Sequence, residues 1–309
     1  MYKYTKVFFL LFALSFLMDS CSNEYQLSEM PQKKIPARQL TNQVEVALVL
    51  GGGAFHGMAH LGVIKVLEEA GIPIDLIVGT SSGSLVGALY ADRPNIDSLV
   101  PLIQSTSVSD IFNVSLFGSS DGFVSGKRLQ KFMIKNLSVE NIEETKIPLV
   151  VVATDIENAC VVAFKSGPIA PSVNASSAIP GIFEPVKMYG TTYIDGGILD
   201  NVPVDVALEY HPKYIIAVDI MKLKTKYKLA SPTDIIKRSY SIMIHQLTQT
   251  QLQKADMLIT PDLEGIPYIG SKDNEKMYQL GIEAAREALP EIIKALQQKG
   301  VEIPKKQLE

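Results

Sequence analysis

Only two cysteines, Cys21 and Cys160, and four histidines, His56, His60, His211 and His245, occur in the 309 residues. Two cysteines exclude a disulfide framework and any cysteine-based zinc cluster. So few histidines argue against a histidine-rich metal site and leave four places for a catalytic one. Charge of one sign is not in excess either, since 29 Lys plus Arg face 33 Asp plus Glu for a net charge of −4. A weakly acidic balance with no basic block argues against nucleic-acid binding, which needs clustered cations to neutralise phosphates. Long apolar runs are missing as well. The longest, Val7 to Met18, falls short of the roughly 20 residues that cross a bilayer. What the chain does have is apolar mass: 47% hydrophobic against 20% charged residues is enough for a sizeable core.

Lys3 and Lys6 precede the Val7 to Met18 run, which breaks at Asp19-Ser20-Cys21. A basic start, a short apolar stretch and a small residue before the break form a secretory signal peptide pattern over residues 1–20. Cys21 stands where a bacterial lipoprotein carries its lipidated cysteine, and Met18-Asp19-Ser20-Cys21 resembles a lipobox. Lipidation there predicts a membrane-attached protein of the cell envelope. The alternative is ordinary cleavage and a soluble secreted or periplasmic protein. Residues 21–43, polar and interrupted by Pro31 and Pro36, read as a flexible tether.

From Val44 onward, strand-like and helix-like segments alternate. Val44 to Leu50, Asp75 to Val78, Pro148 to Thr154 and Lys213 to Asp219 are short apolar runs that read as buried strands. Met58 to Ala70, Ser82 to Ala91, Ile236 to Leu252 and Glu275 to Gln298 read as helices, the last broken or kinked at Pro290. This alternation predicts an α/β fold with a mostly parallel sheet covered on both faces, in three layers. No linker interrupts it, so residues 44–298 form one domain, followed by a polar tail, 299–309.

Gly79-Thr80-Ser81-Ser82-Gly83 closes the second strand and opens a helix. It matches G-x-S-x-G in the strand–turn–helix context of a nucleophile elbow. A sharp turn there exposes a serine hydroxyl near a helix N-terminus, where the dipole favours developing negative charge. Serines that merely cap the helix would give the same letters. Gly51-Gly52-Gly53 ends the first strand, and consecutive glycines can turn N–H groups into one cavity for a phosphate or an acyl oxyanion. A dinucleotide site fits poorly. His56 stands where that fingerprint wants glycine, and Asp75 begins the next strand where an acid should end it. Asp195-Gly196-Gly197 follows the strand-like Thr191 to Ile194, and by itself is a tight turn.

Taken together these segments resemble the patatin-like phospholipase family from Val44 to about Leu296. Leu50-Gly-Gly-Gly-Ala-Phe-His-Gly-Met-Ala-His60 resembles its glycine-rich loop, Gly79 to Gly83 its elbow, and Asp195 to Gly197 its aspartate turn. Val124 to Leu129, Ala175 to Phe183 and Asp200-Asn-Val-Pro-Val204 resemble further segments of bacterial members. The resemblance implies a serine lipid acyl hydrolase with a Ser-Asp dyad. Ser81 would be the nucleophile, Asp195 the proton acceptor, and Gly51, Gly52 and Gly53 the oxyanion loop, without metal or other cofactor. Its partner would be a membrane lipid or another acyl ester. An acyltransferase using the same acyl-enzyme, or a lipid-binding envelope protein without catalysis, are the alternatives.

One departure concerns His56, where bacterial members carry Arg or Lys. It reads as a neutral polar loop residue, and His60 as a buried packing residue. A Ser-His-Asp triad would draw on His211 or His245, the histidines that follow the acid in α/β-hydrolase order. His211 reads as an exposed loop residue and His245 as a helix flank. Ser105 to Gly122, with several large apolar residues, reads either as a lid or interfacial patch or as a short packed helix and loop, and Asp262 to Pro267 with Tyr268 and Ile269 as a rim of the site.

Overall fold

Four runs are buried at every residue: β2 (Val46–Leu50), β3 (Leu76–Thr80), β4 (Leu149–Asp155) and β8 (Tyr214–Val218). Unbroken burial is what a strand covered on both faces requires, and explains why these runs show no polar alternation. In this computed structural model the described residues are 23–24, 40, 43–111, 124–223, 229–268, 270 and 272–304. The expected signal segment, Cys21, most of the tether, residues 112–122 of the expected lid, Ile269 and residues 305–309 of the tail lie outside them. Within the tether, Asn23–Glu24 form a two-residue strand, β1, and Leu40 packs on the domain's apolar interior.

The remaining strands are β5 (Cys160–Phe164), β6 (Val186–Met188), β7 (Thr191–Asp195) and β9 (Met257–Ile259). The sheet runs β1-β6-β7-β4-β3-β2-β8-β9, with β5 paired to β4 as well. From β4 to β9 every pairing on that path is parallel, whereas β5 and β7 both run antiparallel to β4. Parallel neighbours need crossovers, and helices provide them.

Successive residues of the parallel strands point to opposite sides. Leu48, Leu50, Ile77, Val151 and Ile216 enter one core, with residues of the helices Met58–Glu69, Ser82–Asp92 and Asn274–Gln298. Ala47, Val49, Val78, Val152 and Ala217 enter a smaller one with Val204, Val206 and Leu252. The result is a three-layer α/β sandwich around a mostly parallel sheet. The helix Asn274–Gln298 runs unbroken through Pro290, where the sequence suggests a break. Proline removes one helical N–H donor. Ile282, Ala285, Ile292 and Leu296, buried on both sides of it, hold the helix to the core.

Candidate active site

β3 ends at Thr80, and the helix Ser82–Asp92 begins two residues later, so the turn is made by Ser81 alone. Its backbone sits at φ 52°, ψ −123°, a region that a residue with a side chain rarely adopts. The surroundings hold it there. The Ser81 N–H donates to Ser176 Oγ at 2.8 Å, and that hydroxyl donates to Val152 O at 2.5 Å. On the other side Ser84 Oγ donates to Ser81 O at 2.7 Å. Gly83 lets the helix press on the neighbouring strand, for a Cβ there would lie 2.1 Å from Leu50 O.

β7 brings Asp195 to the same place by pairing antiparallel with β4, Ala153 opposite Asp195. Both Ser81 and Asp195 are buried, and the Ser81 side chain is among the groups that act on the Asp195 carboxylate. Asp195 Oδ1 also accepts the Gly197 N–H at 2.7 Å. Burial pushes the Asp195 carboxyl up to about 6, against the opposing pull of the Gly197 and Ser81 hydrogen bonds. The carboxylate is therefore mostly ionised at neutral pH yet a stronger base than an ordinary aspartate. Tyr240, half-buried on the helix Pro232–Leu252, has its phenol pushed up by burial and then by Asp195.

The glycine loop packs directly on the elbow: a Cβ at Gly52 would lie 3.0 Å from Ser81 Cβ. Asn201 clamps it, its carbonyl accepting the Gly52 N–H at 3.0 Å and its Nδ2 donating to Gly52 O at 3.3 Å. Gly51 N–H extends the sheet instead, donating to Val218 O at 3.0 Å. Two of the three expected oxyanion donors, Gly51 and Gly52, thus have their N–H groups engaged elsewhere. The N–H of Gly53 keeps no protein acceptor among the described residues, and the next residue, Ala54, at φ 51°, lines the same cavity as Ser81.

His56 and His60 are both buried beneath this loop. His60 Nε2 lies 2.8 Å from Gly51 O, and burial pushes its imidazole down to about 4, so it is a neutral packing residue that donates to the loop. His56 Nδ1 faces Ile220 O at 3.2 Å and Nε2 faces Ile266 O at 3.1 Å. Its ring rests on Tyr268, whose carbonyl accepts the Phe55 N–H. The Asp262 to Tyr268 segment therefore braces the glycine loop.

Beside Ser81 opens a cavity of about 90 Å³ whose walls include Phe55, Met58, Leu85, Ile103, Leu129 and Phe183. It has room for water, but such walls offer water few hydrogen bonds, and an alkyl chain suits it better. Ser82, also on its margin, has a buried hydroxyl without a hydrogen-bond partner among the described residues.

The other candidates lie apart from this chemistry. His211 is exposed at φ 50°, between the helix Val204–Leu208 and β8. His245 acts on the buried Asp219 carboxyl, and no histidine is among the groups that act on Asp195. Cys160 is an exposed residue at the start of β5. Asp75 accepts the N–H groups of Glu45 and Val46, a structural task. Sequence reasoning assigned no role to Ser176 or Asn201, though both fall in segments it singled out, Ala175 to Phe183 and Asp200 to Val204.

Comparison with known proteins gives a consistent result. A family model described as patatin-like phospholipase matches residues 48–208. Lysophospholipase NTE1 of Scheffersomyces stipitis is 37% identical over 189 residues, which are 60% of this chain and 12% of that protein. Patatin-like phospholipase domain-containing protein 6 of Homo sapiens is 33% identical over 190 residues, 60% of this chain and 14% of that protein. The chain thus matches only a small part of the length of these relatives. Among solved structures, VipD from Legionella pneumophila shares the fold with a TM-score of 0.50 at 15% identity, over 84% of this chain and 67% of that one.

Proposed function

The chain belongs to the patatin-like phospholipase family, and from that premise we propose that it is a serine hydrolase of lipid acyl esters, phospholipids among them. One observation carries the reading: a strained, buried serine acts on a buried carboxylate beside an apolar cavity.

In this reading the cavity takes the acyl chain and sets the ester carbonyl against Ser81. Ser81 Oγ forms a bond to the carbonyl carbon while its proton passes to Asp195. Negative charge gathers on the carbonyl oxygen. It is met by the Gly53 and Ala54 N–H groups and by the N-terminus of the helix Ser82–Asp92. The carbon–oxygen bond to the alcohol breaks, and Asp195 returns the proton to the departing oxygen. Water then repeats the sequence on the acyl-enzyme: Asp195 takes its proton, the fatty acid leaves, and Ser81 recovers its hydrogen. A base near 6 suits this double duty, since it is ionised before attack and still acidic enough to give the proton back. The same reading places the protein in a bacterial cell envelope, anchored through a lipid on Cys21, and rests there on residues 1–21 of the sequence alone.

The test is a mass-spectrometric screen of fatty acid release from phospholipids and neutral acyl esters, comparing the protein with Ser81→Ala. Release by the first and not by the second is expected. No release from any ester by the unaltered protein overturns the reading.

A further inference from the structure

Most of the large apolar side chains left exposed among the described residues gather in one place. Leu229, Ile235, Ile236, Ile242, Met243 and Leu247 lie on or just before the helix Pro232–Leu252, and Ile236 and Met243 are 68% and 64% exposed. Positions 235/236, 242/243 and 246/247 recur at helical spacing and share one side. The opposite side turns inward, with Ile244, Thr248 and Leu252 buried. The long helix Asn274–Gln298 shows what a solvated face looks like in this protein. There the exposed positions are Glu275, Lys276, Gln279, Glu283, Arg286, Glu287, Pro290, Glu291, Lys294, Gln297 and Gln298. An exposed apolar stripe of this kind marks a contact surface.

Charge says what the contact is. By sequence, residues 221–254 hold Lys222, Lys224, Lys226, Lys228, Lys237, Lys254 and Arg238 against a single acid, Asp234, a net of +6 in a chain of net −4; Lys254 pairs with Asp205 at 2.7 Å, and Lys224, Lys226 and Lys228 lie outside the described residues. Apolar residues with adjoining cations form the pattern of a helix that lies in the interface of an anionic bilayer. A second copy of this chain carries the same excess of cations in this stretch, so like charges would oppose its docking there. The place is also right. Tyr240, between Ile236 and Met243 in the chain, feels the Asp195 carboxylate, and Gln251 Nε2 donates to Leu199 O at 3.3 Å, four residues beyond that aspartate.

We propose that the outer face of the helix Pro232–Leu252 is the surface by which this protein docks on an anionic lipid bilayer, with Ile235, Ile236, Ile242, Met243 and Leu247 entering the acyl boundary. The lipid-hydrolase reading gives this surface its purpose, which is to bring the dyad to the substrate's own phase. The docking itself does not depend on turnover.

The chain contains no tryptophan, so Met243→Trp provides a single indole reporter. In the full chain carrying Ser81→Ala, the indole emission is expected to shift to the blue on adding phosphatidylcholine–phosphatidylglycerol vesicles. Brominated lipid should quench it, and both effects should shrink with pure phosphatidylcholine or high salt. An indole that stays open to aqueous acrylamide while the protein sediments with vesicles overturns the proposal, because attachment then runs through another segment. A blue shift that grows with protein concentration and without vesicles also overturns it, in favour of a second copy. A second variant reads the same surface through activity. Ile236→Ser with Ile242→Ser is expected to lower vesicle hydrolysis about tenfold while leaving a soluble short-chain ester unaffected. Equal loss on both substrates, with unchanged circular dichroism, counts against docking. Absence of any hydrolysis by the unaltered protein sinks the enzymatic reading and leaves the indole measurement standing.

Discussion

Thr80 and Asp195 occupy consecutive places along the same edge of β4, Thr80 opposite Val152 and Asp195 opposite Ala153. β5 runs along the other edge past both residues, so β3 and β7 must share this one and meet head to head. The residue that follows Thr80 is Ser81. Two strands from distant parts of the chain thus stop against each other, with one member of the proposed dyad, Asp195, at the end of β7 and the other, Ser81, just past the end of β3.

Burial raises the Asp195 carboxyl to about 6 from an ordinary value of 3.8. The folded state therefore holds this proton more tightly than the unfolded chain. Stability from this group is present below pH 3.8 and is lost as pH rises through about 6. Asp195→Asn removes that charge. It is expected to abolish ester hydrolysis and yet to raise unfolding stability at pH 7–8 by up to about 3 kcal/mol, read by urea titration. Destabilisation at that pH would mean that the carboxylate is better solvated or better paired than its surroundings indicate.

The same group sets the acid limb of activity. In the proposed dyad only the ionised carboxylate can take the Ser81 proton, so kcat/KM is expected to be flat near neutrality and to fall about tenfold per pH unit below about pH 6. A soluble short-chain ester is the right substrate for this profile, because vesicle binding has its own pH response. A limb near pH 4 would show an aspartate not shifted by burial.

Ser176 holds the elbow through two hydrogen bonds without touching substrate. Ser176→Ala leaves the Ser81 N–H and Val152 O without these partners. It is expected to lower kcat about 10- to 100-fold with little change in the pH profile, since geometry and not proton affinity is what it supplies. Gly83→Ala is harsher: the added carbon would sit 2.1 Å from Leu50 O. Destabilisation of about 3 kcal/mol is expected in thermal unfolding.

Alanine at His211 or at His245 is expected to leave most activity, because neither is among the groups acting on Asp195. Loss of turnover in either folded variant, measured on the soluble ester, would replace the dyad with a triad.

The parallel strands were legible because burial on both faces writes them as plain apolar runs, Val46 to Leu50 being typical. The elbow was legible because Gly79-Thr80-Ser81-Ser82-Gly83 joins such a strand to a helix, the context that G-x-S-x-G requires. β5 and β6 were not. β5 begins with the exposed Cys160 and Val161 and β6 has only three residues, so neither carries a periodic signal. The partners of the loop amides were hidden for another reason. That Gly52 donates to Asn201 and Gly51 to Val218 depends on contacts between segments far apart in the chain, which spacing does not encode. Overall charge concealed one more thing: a net of −4 averages away the basic stretch 221–254, which a count by segment exposes.

Because the two halves of the proposed dyad arrive from opposite directions on β4, the chain can be opened between them. The turn from Ile156 to Ala159 is exposed, and Asp155 Oδ1 caps it by accepting the Glu157 and Asn158 N–H groups. A break there would leave the serine and all of β4 on one fragment and the aspartate on the other. Neither fragment alone would own an active site. Activity would return only when the second piece adds β5 and β7 to β4 in register, and a slip of one residue would turn Asp195 to the wrong side of the sheet. Cleaved at this turn, the protein would become a two-part reporter of its own strand pairing.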